Sequence, residues 1–260
     1  MSDLVNIIMP AFNSERTIQY SIKSVFEQSY RHWRLIVVDD CSSDGTARIL
    51  REYENDPRIT IVRNSFNRGV SASRNVALDQ VKEGWIAFLD SDDYWLKDKL
   101  ERQIKFAENS SDCIIHTYYA VVDERKRLRG VRKGPIEGDL ELLLRRNYIG
   151  TSTAMVRLEL VKSLRFIEIG HEDYAFWISI LKNSQFKTKC VPEVLTFYQI
   201  SSNSLSGNKL RAARWTWVVL RKVAGLSRFR ALCSFFSYAI SAFLIRIEEK
   251  ISFKKMGDKV

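Results

Sequence analysis

The 260 residues, 45% of them apolar, suffice for one substantial domain with a real core, or for one domain with an appendage. Four scattered cysteines (Cys41, Cys113, Cys190 and Cys233) form no CxxC pair, and His32, His116 and His171 do not cluster with them, so neither a disulfide framework nor a zinc site is expected. The net charge of +10 is lopsided: residues 209–260 hold 12 Lys and Arg against 3 Asp and Glu, and the rest 29 against 28, so a basic tail follows a near-neutral body and argues against nucleic acid as the partner.

In chain order, residues 5–9 form a short apolar run that ends at Pro10 and reads as a buried strand. Ile18, Ile22, Val25 and Phe26 follow at helical spacing, behind Ser14 as a candidate N-cap. Residues 35–38 predict the next strand, and Ser43-Asp44-Gly45 opens a helix carrying Ile49, Leu50 and Tyr53. Residues 59–62 predict a third strand, residues 71–81 a helix, and residues 85–89 a fourth strand. Strands about 25–30 residues apart, separated by helices, mean βαβ units and a largely parallel sheet. The remainder is less regular. Residues 97–109 predict a helix, 113–122 a strand, 123–134 a charged loop, and 140–144 and 158–164 short helices. His171-Glu172-Asp173 precedes an apolar helical pattern through Tyr174, Phe176, Trp177, Ile180 and Leu181, and residues 201–208 read as a polar boundary before the tail.

In parallel sheets, ligands sit beyond the carboxyl ends of the strands. The polar residues obey that rule. Pro10-Ala11-Phe12-Asn13 follows the first strand, Asp39-Asp40 ends the second, Asn67-Arg68-Gly69 follows the third, and Asp90-Ser91-Asp92-Asp93 ends the fourth. Three aspartates within four residues repel one another. A hard divalent cation, Mg²⁺ or Mn²⁺, relieves that repulsion and keeps positions open for phosphate oxygens. Alternatively, Ser91-Asp92-Asp93 caps a following helix, Asp39-Asp40 is a turn, and Glu172-Asp173 is an acidic first helical turn. A carboxylate at Asp39 or Asp40 suits the N3–H of uracil, with Phe12 or Pro10 as a wall for the ring.

These stretches resemble the inverting family 2 glycosyltransferases of the GT-A fold, of the type that builds bacterial O-antigen and capsule repeats. The resemblance rests on five motifs in order: residues 5–13, residues 35–46, Asn67-Arg68-Gly69 with Ser73-Arg74-Asn75, residues 87–93, and His171-Glu172-Asp173-Tyr174 with Trp177. It covers about residues 4–206 and implies a catalytic domain over 1–206, with a nucleotide-binding half (1–110) and an acceptor-binding half (111–206). The resemblance assigns Pro10, Phe12 and Asp40 to the uracil, and Arg74 to the uracil or diphosphate. Asp92 and Asp90 are the implied metal ligands, Asp90 nearer the ribose, with Asp39 and Ser91 completing the donor set. Asp93 and Trp95 would face the donor sugar or acceptor. Asp173 matches the catalytic base, and Glu172 shares or replaces that role. The implied reaction moves a hexose from UDP-glucose or UDP-galactose to an undecaprenyl-diphosphate-linked sugar, with GlcNAc as the acceptor sugar and a β1,3 linkage. The chain departs from relatives that carry Tyr-Arg and then a His near the domain end. Gln199 and Ser201 stand there instead, so Lys209 or Arg211 becomes a candidate for holding the diphosphate.

Residues 207–260 read as a basic amphipathic helical tail. Residues 231–245 are apolar apart from three serines, and fifteen residues are short for a span, which needs about 20. An interfacial helix on an anionic membrane is the preferred reading, with Trp215 and Trp217 at headgroup level. A hairpin packed on the catalytic body is the alternative. With no basic stretch followed by an apolar one at the start, no signal peptide is expected, which places the protein in the cytoplasm on the inner face of the membrane. Two other functions remain open. A nucleotidyltransferase would need a Gly-rich basic loop after the first strand, and residues 10–16 hold no glycine. A non-enzymatic membrane or nucleic-acid adaptor would bind through the tail and show no UDP affinity.

Overall fold

The alternation in the first hundred residues becomes four parallel strands with helices between them. A computed structural model describes residues 4–108, 113–182, 186–200 and 209–241, and the side chains of all these except Cys113 and Lys209. The polar boundary expected at 201–208 lies outside the described residues. β1 (Val5–Ala11), β2 (Trp33–Asp39), β3 (Ile59–Arg63) and β4 (Trp85–Phe88) stand in the order β3-β2-β1-β4. β1 is buried along its whole length, as a central strand covered on both faces must be, and its sequence is apolar but for Asn6, whose Nδ2 donates to the Glu83 and Trp85 carbonyls. Pro10 sits inside this strand without cost to the ladder. β4 pairs with β1 only as far as Ile8, so the missing N–H falls beyond the end of its neighbour.

The helices α1 (Ile18–Phe26), α2 (Thr46–Arg51) and α3 (Val70–Leu78) pack their apolar sides on this sheet; α1 buries Ile18, Ile22 and Val25. α2 stops before Tyr53 and α3 before Val81. Ser14 is not a side-chain cap. Its carbonyl accepts from Thr17 and Ile18 at the start of α1, while its hydroxyl turns to Ser91 Oγ at 2.8 Å.

The second half continues the same sheet, through β5 (Tyr94–Trp95), α4 (Lys99–Ala107), β6 (Cys113–Asp123), β7 (Leu128–Arg132), β8 (Glu137–Gly138) and α5 (Leu140–Arg145). It goes on with β9 (Met155–Arg157), α6 (Leu158–Val161), α7 (Glu172–Lys182) and β10 (Lys187–Ile200). The strand path runs β3-β2-β1-β4-β9-β6-β10-β5, so residues 1–110 and 111–206 share one sheet, joined antiparallel at β4 and β9. The charged loop expected at 123–134 is a hairpin instead. β7 pairs antiparallel with β6, and Asp123 stitches the turn by accepting from the Arg125 and Arg127 amides and from the Arg127 and Arg129 guanidinium groups. The run of cations masked a strand that one carboxylate neutralises. β10 has no simple alternation to announce it, because register shifts between Val191 and Thr196 break its periodicity.

The described part of the tail, residues 209–241, packs on the body. α8 (Lys209–Val218) leads into a π-helical turn at Val219–Val223, and α9 spans residues 228–241. Ser227 caps α9, its carbonyl accepting from Ala231 N and its hydroxyl from Arg230 N. Val219, Leu220 and Ala231 are fully buried in the core that α7 shares with the sheet. Trp215 lies against Gly170, where a Cβ would meet the indole ring at 2.3 Å, and Trp217 meets Phe235 edge to face. Both indoles, expected at headgroup level, are half-buried here, Trp215 against Gly170 and His171 and Trp217 against the core. Among the described residues no helix is long and apolar enough to cross a membrane.

Candidate active site

The carboxyl ends of β1 to β4 converge as the motif positions require. Asp39 closes its own turn: Oδ1 accepts from Ser42 N at 3.0 Å, and Oδ2 pairs with Arg63 Nε at 3.3 Å. Asp40 is buried and folds the loop after β3. Its Oδ1 accepts from Asn64 Nδ2 (2.6 Å) and Arg68 N (2.9 Å), and its Oδ2 from Gly69 N (2.7 Å). Those amides open α3, where a negative charge is favoured, and Gly69 turns the chain with φ +83°. Phe12 is 48% exposed beyond β1 and offers an open face for a base; Pro10 is buried within the sheet and does not.

The four residues after β4 point in different directions. Asp90 Oδ1 accepts from Arg74 Nη2 at 2.6 Å, and its amide donates to Ser152 Oγ at 3.1 Å. Ser91 turns its hydroxyl and carbonyl inward, pairing with Ser14 Oγ and accepting from Ser21 Oγ of α1. Asp92 keeps a solvent-accessible face but is hemmed in by protein. That desolvation first, and the charge on Asp90 second, push its pKa up to about 6. Asp93 is 1% exposed, its Oδ2 accepting from Ser152 Oγ at 2.5 Å and its Oδ1 from Gln199 N at 2.9 Å. Burial, then Asp92 and Asp90, hold its pKa well above the usual carboxylate range. Trp95 is also buried and donates from Nε1 to the Ser152 carbonyl at 2.7 Å. Asp93 and Trp95, expected toward the sugar or acceptor, are both buried and lash the end of β4 to β10 and to the turn at Thr151–Thr153.

Among the described residues no three His, Cys, Asp or Glu side chains gather into a cation cage. Asp92 and Asp90 still fit a hard divalent ion held in an open manner. Mg²⁺ and Mn²⁺ take one or two carboxylates and keep their other positions for water and phosphate oxygens. The solvent-facing Asp92 carboxylate is crowded by Asp90, while the nearest cation, Arg74, is committed to Asp90 and Glu172.

The second acidic pair starts α7, after Gly170 (φ +72°) and His171 (φ +50°) reverse the chain. Asp173 accepts at Oδ2 from Thr151 Oγ1 (3.2 Å) and at Oδ1 from the Tyr174 amide (2.7 Å). Glu172 has its pKa raised, by burial first and by Asp173 second. Arg74, expected against the uracil or diphosphate, is 4% exposed and lies beneath the cleft over the Phe166 ring. It pairs with Asp90, and its Nη1 stands 3.7 Å from Glu172 Oε1. One guanidinium thereby holds the end of β4 and the start of α7 together.

Several residues of this cleft carried no sequence signal. Ser152 binds Asp90, Asp93 and Trp95 at once, and Thr151 reaches Asp173. Tyr198 has its phenol pushed up by burial, then by Asp93, Asp92 and Asp90. At the departed Arg and His positions, Gln199 donates its backbone N–H to Asp93 and Ser201 falls outside the described residues; of the candidates to replace them, Arg211 lies over the Trp215 ring and the Lys209 side chain is not described.

The model of the family described as glycosyl transferase family 2 matches residues 6–165. The chain belongs to family 2 of the glycosyltransferases. This glycosyltransferase is 37% identical over 242 residues to TuaG of Bacillus subtilis, named for teichuronic acid biosynthesis, covering 92% of this chain and 96% of that one. It is 35% identical over 217 residues to WfgD of Escherichia coli, a UDP-Glc:α-D-GlcNAc-diphosphoundecaprenol β-1,3-glucosyltransferase, covering 84% and 85% of the two chains. The fold is that of TarS 1–349 of S. aureus, solved with UDP-GlcNAc, at a TM-score of 0.70 and 22% identity over 88% of this chain and 69% of that one. It is also that of a mannosyltransferase from Pyrobaculum calidifontis, solved with GDP-Man and Mn²⁺, at a TM-score of 0.66 and 20% identity over 86% and 65%. The architecture is thus GT-A-like, and the nucleotidyltransferase and adaptor readings fall away.

Proposed function

We propose that this glycosyltransferase moves a hexose, glucose in the first instance, from its UDP-sugar to a GlcNAc-diphosphate-polyprenol with inversion, forming a β1,3 bond at the inner face of the membrane. The observation that supports the reading is the Arg74 bridge, whose guanidinium pairs with Asp90 at 2.6 Å and stands 3.7 Å from Glu172, next to Asp173. The names of two relatives, WfgD and WfaP, support that donor and that acceptor. Galactose remains the alternative hexose.

In this reading the uracil lies on Phe12, and the diphosphate extends toward Asp92 and Asp90. A divalent cation held by those carboxylates would neutralise charge on the leaving diphosphate. Asp173 takes the proton of the acceptor hydroxyl as its oxygen attacks the anomeric carbon from the face opposite UDP. Glu172 keeps the cleft acidic beside the base, and Thr151 orients Asp173 by donating to one of its oxygens.

The test is a panel of UDP-sugars against a synthetic GlcNAc-diphosphate-alkyl acceptor, with the linkage read by NMR. Asp92→Ala and Asp173→Asn should each lower transfer by about 10²-fold or more with circular dichroism unchanged. Chelation should abolish transfer, and Mn²⁺ or Mg²⁺ should restore it. Full activity in either variant overturns the assignment of that residue.

A further inference from the structure

The last helix has two unlike faces. Ala231, Phe235 and Tyr238 of α9 turn toward the body: Ala231 is fully buried, Phe235 meets Trp217, and Tyr238 packs on Tyr174 with ring centroids 5.7 Å apart. Tyr174 is the residue after Asp173, so the inner face of α9 borders the proposed base. The Tyr238 phenol is accordingly pushed up to about 12, by burial first and by Asp173 second. On the opposite side Phe229, Leu232, Phe236 and Ile240 stand exposed. At successive steps of three, four and four residues they occupy an arc of about 80° on one helix face. Ala231 and Tyr238 fall on the far side of that wheel.

We propose that α9 is the membrane-facing wall of the acceptor site: its inner face closes the cleft beside Asp173, while Phe229, Leu232, Phe236 and Ile240 enter the headgroup region of an anionic bilayer.

The identity of the partner follows from charge. Arg228 and Arg230 flank the stripe at its start, and residues 209–260 carry 12 Lys and Arg against 3 Asp and Glu. An apolar stripe bordered by cations matches a surface that offers acyl chains and phosphates together. A second copy of the chain fits poorly, because an isologous contact through the stripe offers Arg228 and Arg230 no acid: residues 228–241 hold no Asp or Glu. The geometry also suits a lipid-linked acceptor. A helix is about 10–12 Å across, so a bilayer touching the outer face of α9 lies about one helix diameter from Tyr238, within reach of a sugar held by a diphosphate. The inner role of α9 rests on the acceptor reading above; the outer role does not.

The experiment uses the full chain and vesicles without any sugar. Wild-type protein should sediment with vesicles containing phosphatidylglycerol, more weakly with pure phosphatidylcholine, and less as salt rises. The quadruple variant Phe229→Gln, Leu232→Gln, Phe236→Gln, Ile240→Gln should lower the bound fraction on the order of tenfold or more, since glutamine keeps helix propensity and removes the apolar stripe. The pair Phe236→Gln, Ile240→Gln serves as the milder variant should the quadruple fail to fold. With a short-chain, water-soluble acceptor both variants should transfer within about twofold of wild type, and with a polyprenyl acceptor in vesicles both should fall with binding. Vesicle binding by folded variants equal to wild type overturns the proposal, as does wild-type protein that ignores anionic vesicles. So does light scattering that finds a wild-type dimer and a monomeric variant. Vesicle binding without transfer to any acceptor would sink the acceptor reading and the inner role while sparing the outer face. Transfer to the soluble acceptor without vesicle binding would do the reverse.

Discussion

The proposed donor edge and the proposed acceptor side of the cleft are built by different means. At the donor edge, each functional group follows the end of a parallel strand, and sheet register alone aligns them: Ala11 stands opposite Asp39, and Asp39 opposite Arg63. On the acceptor side nothing is set by register. Asp173 starts a helix after a strained turn, Thr151 comes from a 3₁₀ turn, Tyr198 from a bulged strand, and Tyr238 from the last helix. The first region is specified locally and repeats a motif. The second depends on whether distant segments pack. Arg74 and Ser152 are two of the side chains that join them.

Removing Arg74 breaks that union most severely. Arg74→Met keeps the stem over Phe166 but leaves Asp90 and Glu172 facing each other without a cation. Losing one partner of a buried ion pair costs about 3–5 kcal/mol, so the urea midpoint should drop sharply and transfer should be lost. A variant with wild-type stability would mean that the two regions hold together without the bridge.

Ser152→Ala tests the second joint. It removes the hydroxyl that accepts from Asp90 N and donates to Asp93, leaving a buried carboxylate short of one donor. The expected cost is about 1–3 kcal/mol in stability. The KM for UDP-sugar should rise, because the loop carrying Asp90 and Asp92 loses its anchor. Unchanged donor binding with a reduced rate would shift Ser152 to the acceptor side of the comparison.

That contrast explains what the sequence disclosed. The parallel sheet, the strand ends and the helix after His171 were legible because period, length and turn residues all agreed. The burial of Asp93 and Trp95 was not legible, since an acid and an aromatic beside a metal motif look open to a ligand until β10 is known to cover them. The motif marked Arg74 as a site residue, but its burial and its pairing with Asp90 and Glu172 come only from packing. Ser152 and Thr151 were silent because hydroxyls in a short turn resemble any loop. The tail was half read. Its amphipathic character was visible, but which aromatic residues cover the body and which face outward depends on Gly170 and α7, far away in the chain.

A smaller effect lies under the seam. Lys99 is fully buried, its Nζ 3.7 Å from the centre of the Trp95 ring, and burial holds its pKa well below the ordinary value. Between the folded and unfolded pKa the unfolded chain binds more protons, so stability rises with pH through that window and falls as pH drops. Lys99→Met should stabilise the protein by about 1–2 kcal/mol at neutral pH and flatten this slope. Urea midpoints at about pH 7 and about pH 9.5 for both proteins would read it. Parallel slopes would mean that Lys99 does not titrate in that range.

The finest discrimination comes from the neighbour of Ser152. Thr151 and Ser152 are adjacent in one 3₁₀ turn, yet Ser152 serves the donor edge and Thr151 the base. Thr151→Val keeps the shape and removes the hydrogen bond to Asp173 Oδ2. A bond of this kind is worth about 0.5–1.5 kcal/mol, which corresponds to roughly a 2–10-fold fall in rate. The fall should appear in kcat and in kcat/KM for the acceptor, with the KM for UDP-sugar unchanged, and Thr151→Ser should restore it. If Thr151→Val instead weakened donor binding as Ser152→Ala does, the turn would act as one rigid block, and the division of the cleft into two independently built regions would not hold at the point where they touch.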